Sequence, residues 1–422
     1  MVNSKNNMRS SLRVGFLLGL RQIQRANVWT TSLIIFIMML TFLNLVGVSG
    51  ILVGLIEGSV KANREQYSGN ILFSTPKGDS YIEGSHTMIE TIKITPEVES
   101  FTARFLGNAT IEAIYSTRRD PNALRDSVGA QVAGIDVLAE EKVTNLSKYV
   151  KEGEYLRPGE DQYILMGANM IQRYISDFGE GFDTLDDIFP GTKVRISVGD
   201  KTKEYIVKGI VDSKVDQTSF RIFMTEQEFV RFFDRGNLNI NEIAIVGKPD
   251  VSETRLKDIF VRSGFAKDAK IQTSAEAIPQ FLTDIKIAFG LLGNIIGSVG
   301  IIVASITIFI IIFINAITRK KYIGILKAIG VEARAIKLAY IFQSIFYALS
   351  GSLLGLVVIY GLMVPGFNKH PIDFPFSDGI LVAPFESTMI KFVLLLVVTL
   401  IAGFIPAAMI IRKNTLDSIL GR

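Results

Sequence analysis

The sequence predicts an α-helical membrane protein with four transmembrane helices and a large extracytoplasmic α+β domain between the first and second spans. Three observations lead there. The apolar residues, 48% of 422, gather in four long runs instead of spreading along the chain. Between the first two runs, residues 57 to 284 show strand-like and helix-like patterning in mixed order. The cations crowd the connections on one side of the runs and thin out on the other.

Composition narrows the function classes. Mean hydropathy is +0.34, high for a soluble protein. The charged fraction of 20% falls below the usual value of about 25%. A net charge of +4 is too small to point to nucleic acid. The absence of cysteine excludes disulfides, thiolate metal sites and cysteine nucleophiles. The two histidines, His86 and His370, lie in different segments and argue against histidine-based metal or triad chemistry.

Residues 1–29 carry Lys5, Arg9, Arg13, Arg21 and Arg25 and no acid, with Leu12, Phe16, Leu20 and Ile23 at helical spacing. This pattern predicts an amphipathic helix on the cytoplasmic membrane face. The first span covers 30–56. Its apolar run from Leu33 to Ile56 reaches roughly 36 Å as a helix, enough for a hydrocarbon core of about 30 Å and too long for a signal-peptide core. Glu57 is expected to end it.

Strands are expected at Asn70 to Ser74, Phe101 to Ile114, Gln131 to Ile135, Tyr163 to Met166, Lys193 to Val198, Glu204 to Val211, Arg221 to Met224, Glu242 to Val246 and Lys270 to Gln272, where β-branched and aromatic residues alternate with polar ones. Helices are expected at Met88 to Ile92, Ala168 to Tyr174, Glu226 to Phe233 and Glu253 to Val261. Turns are marked by Pro76 to Asp79, Pro158-Gly159, Pro190-Gly191 and Gly199-Asp200. The second span, 285–318, is longer than a bilayer core, so its first turns form a stalk. The segment 319–337 is cytoplasmic. The third span is 338–364, a proline-containing extracytoplasmic loop is 365–391, the fourth span is 392–411, and a cytoplasmic tail is 412–422. Lysine and arginine counts place both termini and the 319–337 segment inside and the large domain outside.

No Asp, Glu, Lys or Arg occurs in the apolar interiors of the spans; in the second the apolar run is 287–317, and Lys286 precedes it. A charge there usually marks an ion or proton path, so a secondary transporter or charged-ring channel is disfavoured. There is no phosphate-binding loop of the G-x-x-x-x-G-K-[ST] kind, no G-x-S-x-G and no H-E-x-x-H. No enzyme activity, metal or cofactor is expected in this chain.

The segment Arg319 to Lys337 combines an apolar spacing (Tyr322, Leu326, Ile329, Ala333, Ile336) with Arg319, Lys320, Lys321, Lys327, Arg334 and Lys337. It could simply fix topology, or bind anionic lipid, but neither role needs both the apolar stripe and Gly324 with Gly330. Docking of a partner protein needs them, with Gly330 ending one helix and Val331 to Lys337 forming a second. Small residues recur at four-residue spacing at Gly50 and Gly54, Gly293 and Gly297, and Gly351 and Gly355. They allow close helix contact, either within the subunit or between two copies.

On these residues the chain resembles the FtsX-like and MacB/LolCE-type permeases of ATP-binding-cassette systems. Lys321-Tyr322-Ile323-Gly324-Ile325-Leu326-Lys327-Ala328-Ile329-Gly330 is similar to the family's inner-loop phrase E-I-G-I-L-K-A-I-G, with Tyr322 where glutamate is frequent. Pro406 to Arg422 is similar to its closing tail, with Ser418 in place of proline. Val132 to Asp136, Gly153 to Leu156, Phe189 to Val198 and Tyr205 to Ile210 resemble its outer-domain phrases. The resemblance implies that the outer domain divides into a porter part, about 60–120 and 238–284, and an inserted subdomain, about 121–237. It implies a bacterial cytoplasmic membrane, a homodimer or heterodimer of permeases, and two copies of a separate ABC ATPase that binds ATP and Mg. The ATPase would dock on Arg319, Lys320, Lys321, Tyr322, Ile323, Leu326, Lys327, Ile329 and Gly330.

The expected function is therefore a permease subunit of the mechanotransmission type, passing ATP-driven movement to the outer domain for export or release of a lipoprotein, peptide, drug or lipid. The resemblance leaves room for a periplasmic adaptor or lipoprotein partner. The alternative is an extracytoplasmic scaffold or signalling subunit that activates a cell-wall hydrolase or other partner without transport.

Overall fold

The computed structural model describes residues 2–113, 126–175, 183–370, 373–374, 377–378 and 381–411. The described elements begin with α1 (Val2–Gln24), α2 (Val28–Asn63), β1 (Ile71–Ser74), α3 (Ser85–Ile94), β2 (Val98–Glu112), β3 (Ser127–Ile135), α4 (Val137–Thr144), β4 (Val150–Gly153) and β5 (Tyr163–Gly167). Next come β6 (Lys193–Val198), β7 (Lys201–Val211), α5 (Asp216–Ser219), β8 (Arg221–Thr225), α6 (Glu226–Phe232), β9 (Glu242–Gly247), α7 (Glu253–Arg262) and β10 (Lys270–Thr273). They end with α8 (Gln280–Thr318), α9 (Lys320–Ala328), α10 (Ala333–Val358), α11 (Val364–Lys369), β11 (Asp373–Phe374), β12 (Ser377–Asp378) and α12 (Phe385–Ile411). The tail motif and its cations, 412–422, lie outside the described residues, as does Ile114.

The chain forms two compact units. A membrane unit contains 1–55, 284–372 and 379–422, and a sheet unit contains 56–283 and 373–378. Among the described residues, four helical stretches are long and apolar enough to cross a membrane: Val28–Ser68, Gln280–Thr318, Ala333–Lys369 and Phe385–Met409. All four outrun the sequence expectation: the second begins at Gln280 and the fourth at Phe385, and the first and third also run on at their C-terminal ends. The first continues past Glu57, because Glu57 is exposed and a charged residue on a helix surface ends the apolar run without ending the helix. The third continues past Val364 to Lys369 through a wide turn at Ile359–Met363. That widening precedes Pro365, which has no N–H to continue the regular ladder.

Glycine sets the spacing inside the membrane unit. A Cβ at Gly351 would fall 2.4 Å from Met38 Cβ, and one at Gly355 would fall 2.5 Å from Phe42 Cδ1, so α10 and α2 touch through bare backbone. Gly293 and Gly297 sit against Leu52 and Leu45 of α2, and Gly50 faces the Val382 carbonyl. Gly54 is buried. A core of Ile34, Met38, Phe42, Ile308, Ile312 and Tyr340, with its neighbours, fills the space between these helices.

In the sheet unit, β1-α3-β2 and β9-α7-β10 make a split βαβ pair with strand order β10-β1-β9-β2. Strand β2 then continues into a second region. Its residues 98–104 pair with β9, 104–112 pair with β3, and 110–112 also pair with β6. Following the pairs β2-β3-β8-β5-β7-β6 returns to β2, so these six strands close a ring. Ile111, Val132, Ile164, Ile196, Val207 and Ile222 are fully buried in one apolar cluster with its neighbours. The expected turns are present: Gly78, Gly159, Gly191 and Gly199 all adopt positive φ.

Two local expectations differ. Ala168 to Tyr174 is not one helix but two single 3₁₀ turns separated by Ile171, which is extended and bridges to Leu185. The helix α4 was not expected from periodicity. It is short and is started by Asp136, whose carboxylate accepts from the Leu138 and Ala139 N–H groups.

Candidate coupling site

The Arg319–Lys337 segment folds differently from a single stripe. Helix α8 ends at Thr318, Arg319 leaves the helical region (φ −101°, ψ 14°), and α9 runs from Lys320 to Ala328. The Val331 N–H donates to the Leu326 carbonyl (2.9 Å) and the Gly330 N–H to that of Lys327 (3.1 Å). With Gly330 at φ +91° this is a Schellman stop, the role expected for that glycine. The following helix is not a second short one confined to Val331–Lys337. It is the start of α10 at Ala333 and belongs to the third span.

The stop shifts the faces. Ile323 is buried and Leu326 half-buried, whereas Tyr322 is 70% exposed and Ile329 72% exposed. Tyr322, Ile325 and Ile329, with Lys321, therefore form the open face of α9. The stripe Tyr322–Leu326–Ile329–Ala333–Ile336 does not exist as one buried face, because a continuous helix is needed to carry its phase past Gly330. The Lys327 ammonium donates to the Ile411 carbonyl at 2.6 Å, satisfying the end of α12. Arg319 and Lys320 are half-exposed.

Helix α1 lies on α10 through a second small-residue pair that the sequence reading passed over. A Cβ at Gly15 would fall 2.7 Å from Leu338 Cβ, and one at Gly19 would fall 2.9 Å from the Ala339 carbonyl oxygen. The signal was present as G-x-x-x-G, but in a basic helix and not in an apolar span. Ser11 Oγ donates to Glu332 (2.5 Å), and Phe16 meets Phe342 edge-on, 5.4 Å between centroids. Between α1, α9 and α10 lies a cavity of 400 Å³ that includes Arg21, Arg25, Arg319, Tyr322 and Tyr340 in its lining.

The sheet unit holds a charge network that the sequence reading also missed. Arg104 and Arg221 are buried together with Glu140, Glu242 and Tyr67. Arg221 grips Glu242 through two hydrogen bonds, 3.0 and 2.9 Å, and Arg104 reaches the same carboxylate at 3.3 Å. Tyr67 donates to Glu242 at 2.6 Å, and its carbonyl accepts from Arg104 at 2.7 Å. Burial would raise the Glu242 carboxyl, but Arg221 and Arg104 outweigh it and hold the group at about 2. Next to Tyr67, Gln66 accepts from Ser213 Oγ (2.7 Å) and from the Lys214 N–H (2.9 Å). The turn Arg64–Ser68 after α2 is thus tied to β2, β8 and β9 and to the loop after β7. Beside β2, between α3 and α4, a 680 Å³ groove is lined by Glu90, Phe101, Leu138, Lys142 and Leu238 among others.

Residues 294–415, from inside α8 past the end of α12, match a family model described as FtsX-like permease C-terminal. This stretch is similar to the C-terminal part of FtsX-like permeases. The resemblance read from Lys321–Gly330 falls inside that match. Two solved structures are similar to parts of this chain. The periplasmic region of MacB from Actinobacillus actinomycetemcomitans aligns at 17% identity over 49% of this chain and 90% of that one, TM-score 0.33. The extracellular domain of the noncanonic ABC-type transporter YknZ from Gram-positive bacteria aligns at 14% identity over 48% and 98%, TM-score 0.30. No curated protein matches the chain.

Proposed function

We propose that this chain is the permease subunit of an ABC transporter of the mechanotransmission type. A separate ATPase docks on the open face of α9, and its ATP-driven movement passes along α2 and α8 to the sheet unit on the far side of the membrane, where cargo is released or expelled. The cargo class is a lipoprotein, peptide, drug or lipid. The observation that carries the reading is the FtsX-like match over 294–415, which spans α9 and the three membrane helices around it. Three further features support it. The exposed Tyr322, Ile325 and Ile329 beside Lys321 make an apolar centre with a charged rim, the composition of a docking surface. Two of the four points where the chain passes between the units, 55/56 and 283/284, fall inside helices α2 and α8. The Arg64–Ser68 turn is held by a buried charge network on one side and by Gln66 on the other. In this reading two ATPases serve a dimer of permeases, the α9 side and both termini are cytoplasmic, and the sheet unit is extracytoplasmic.

The test is reconstitution of the full-length permease with the ATPase encoded beside it. Expected are co-purification, ATP hydrolysis stimulated by the permease, and loss of both on Lys320→Glu/Lys321→Glu. Intact ATPase binding by that variant would remove the docking claim. ATP-dependent conformational change without release of any cargo from proteoliposomes would favour the scaffold role over transport.

A further inference from the structure

We propose that the cavity between α1, α9 and α10 binds the phosphate of an anionic glycerophospholipid, from the leaflet beside the Arg319–Lys337 segment. Its lining brings together Arg21, Arg25 and Arg319 with Gln22, and among the described residues no carboxylate lines it. Three arginines lining one cavity with no described carboxylate among them make a site for an anion, and a planar fork of N–H donors matches phosphate oxygens in pairs.

A second observation points to the same ligand. Tyr340 lines the cavity, is fully buried, and its hydroxyl has no hydrogen-bond partner. A buried hydroxyl seldom stays unpaired in a folded protein, and an anion beside Arg319 would accept from it. The cavity volume, 400 Å³, suits a headgroup and not a whole lipid. The acyl chains have somewhere to go. Leu17 is 59% exposed and Leu20 41% exposed on α1, the helix that contributes Arg21 and Arg25. Cationic and apolar surface on one helix selects a lipid over a free phosphate. The site would fasten α1 and α9 to α10 through the membrane itself. This goes beyond ATPase docking: of the open face of α9 only Tyr322 reaches the lining, and Lys321, Ile325 and Ile329 do not.

The experiment uses the full-length permease in nanodiscs of mixed phosphatidylglycerol and phosphatidylcholine, with the lipid retained after delipidating washes measured by mass spectrometry. Wild type should retain phosphatidylglycerol about tenfold over phosphatidylcholine. Arg21→Gln/Arg25→Gln/Arg319→Gln should bring the ratio to parity. Tyr340→Phe, which removes only the hydroxyl, should lower it about threefold with an unchanged thermal midpoint. The charge-matched control Arg13→Gln/Arg334→Gln/Lys337→Gln, outside the lining, should keep the wild-type ratio. The proposal is overturned if the cavity variants retain the enrichment, or if the control loses it equally, which would be general surface charge. Displacement of the lipid by millimolar inorganic phosphate would also overturn it, as a free-anion site. So would displacement by the partner ATPase, since the cavity would then be part of its docking surface.

Discussion

Arg104 holds both oxygens of Glu140: its Nε donates to Oε2 at 2.9 Å and its Nη2 to Oε1 at 2.7 Å. Both side chains are at most 2% exposed, and the remaining carboxylate capacity is taken by Thr102 and Thr144, each at 3.0 Å. Removing one partner leaves a buried charge without its counter-ion. Glu140→Ala is expected to destabilise the sheet unit by about 3–5 kcal/mol, while Thr144→Ser, which keeps the hydroxyl, costs far less. Thermal unfolding of the whole chain, followed by hydrogen exchange at β2 and α4, checks this. A variant as stable as wild type would show that the network is not structural.

The Glu242 carboxylate carries a pH dependence whose sign follows from its environment. Its folded value of about 2 lies below the ordinary 4.5, so the folded state favours the ionised form. The stabilisation is fully present above about 4.5 and is lost as pH falls from there through about 2. Other carboxylates titrate in the same window, so the readout is a difference. The gap in thermal midpoint between wild type and Glu242→Gln should be widest near neutrality and close progressively below pH 4.5. A gap independent of pH would sink the assignment.

On α9 the exposed and buried residues should separate by phenotype. Ile329→Asp, on the open face, is expected to weaken ATPase binding by about 2 kcal/mol, roughly thirtyfold, with no change in permease stability. Ile323→Asp, buried against the membrane core, should lower stability first. Titration of the ATPase onto each purified variant, beside a thermal melt, tells the two apart. Equal stability loss at both positions would mean that the open face is not a docking face.

Gly351→Ala should be poorly tolerated, because its methyl would press into Met38 Cβ at 2.4 Å and the Ile35 carbonyl at 3.0 Å. The expected cost is about 1–3 kcal/mol. Gly290→Ala has nothing within 4 Å and should be neutral or stabilising, since alanine favours helix. Melting in detergent decides. If Gly290→Ala instead impaired dimer formation, that glycine would face a second copy.

How much of this could be read from residues alone depends on the range of the interaction. The four spans and most strands were legible, since apolar runs and alternation are local properties of the sequence. The stop at Gly330 was legible because only glycine takes φ +91° cheaply. The exposure of Tyr322 and Ile329 was not, since it depends on where the helix restarts. The buried arginines were invisible for a different reason. In Phe101-Thr102-Ala103-Arg104-Phe105 an alternating strand puts Arg104 on the same face as Thr102, which reads as the wet side. Here that face is covered by α4, a helix whose docking no local pattern announces. The Gly15 and Gly19 contact with α10 was missed because a spacing usually sought in apolar spans occurred in a basic helix.

The ring of β2, β3, β8, β5, β7 and β6 is sealed by three residue pairs, Thr110 with Ser197, Ile111 with Ile196, and Glu112 with Arg195. They join stretches some eighty residues apart in sequence. Without cysteines, the chain has no covalent staple to stop such a long excursion from drifting open. Closure of the sheet on itself supplies a restraint instead, a non-covalent clasp that ties the two ends of this long excursion together.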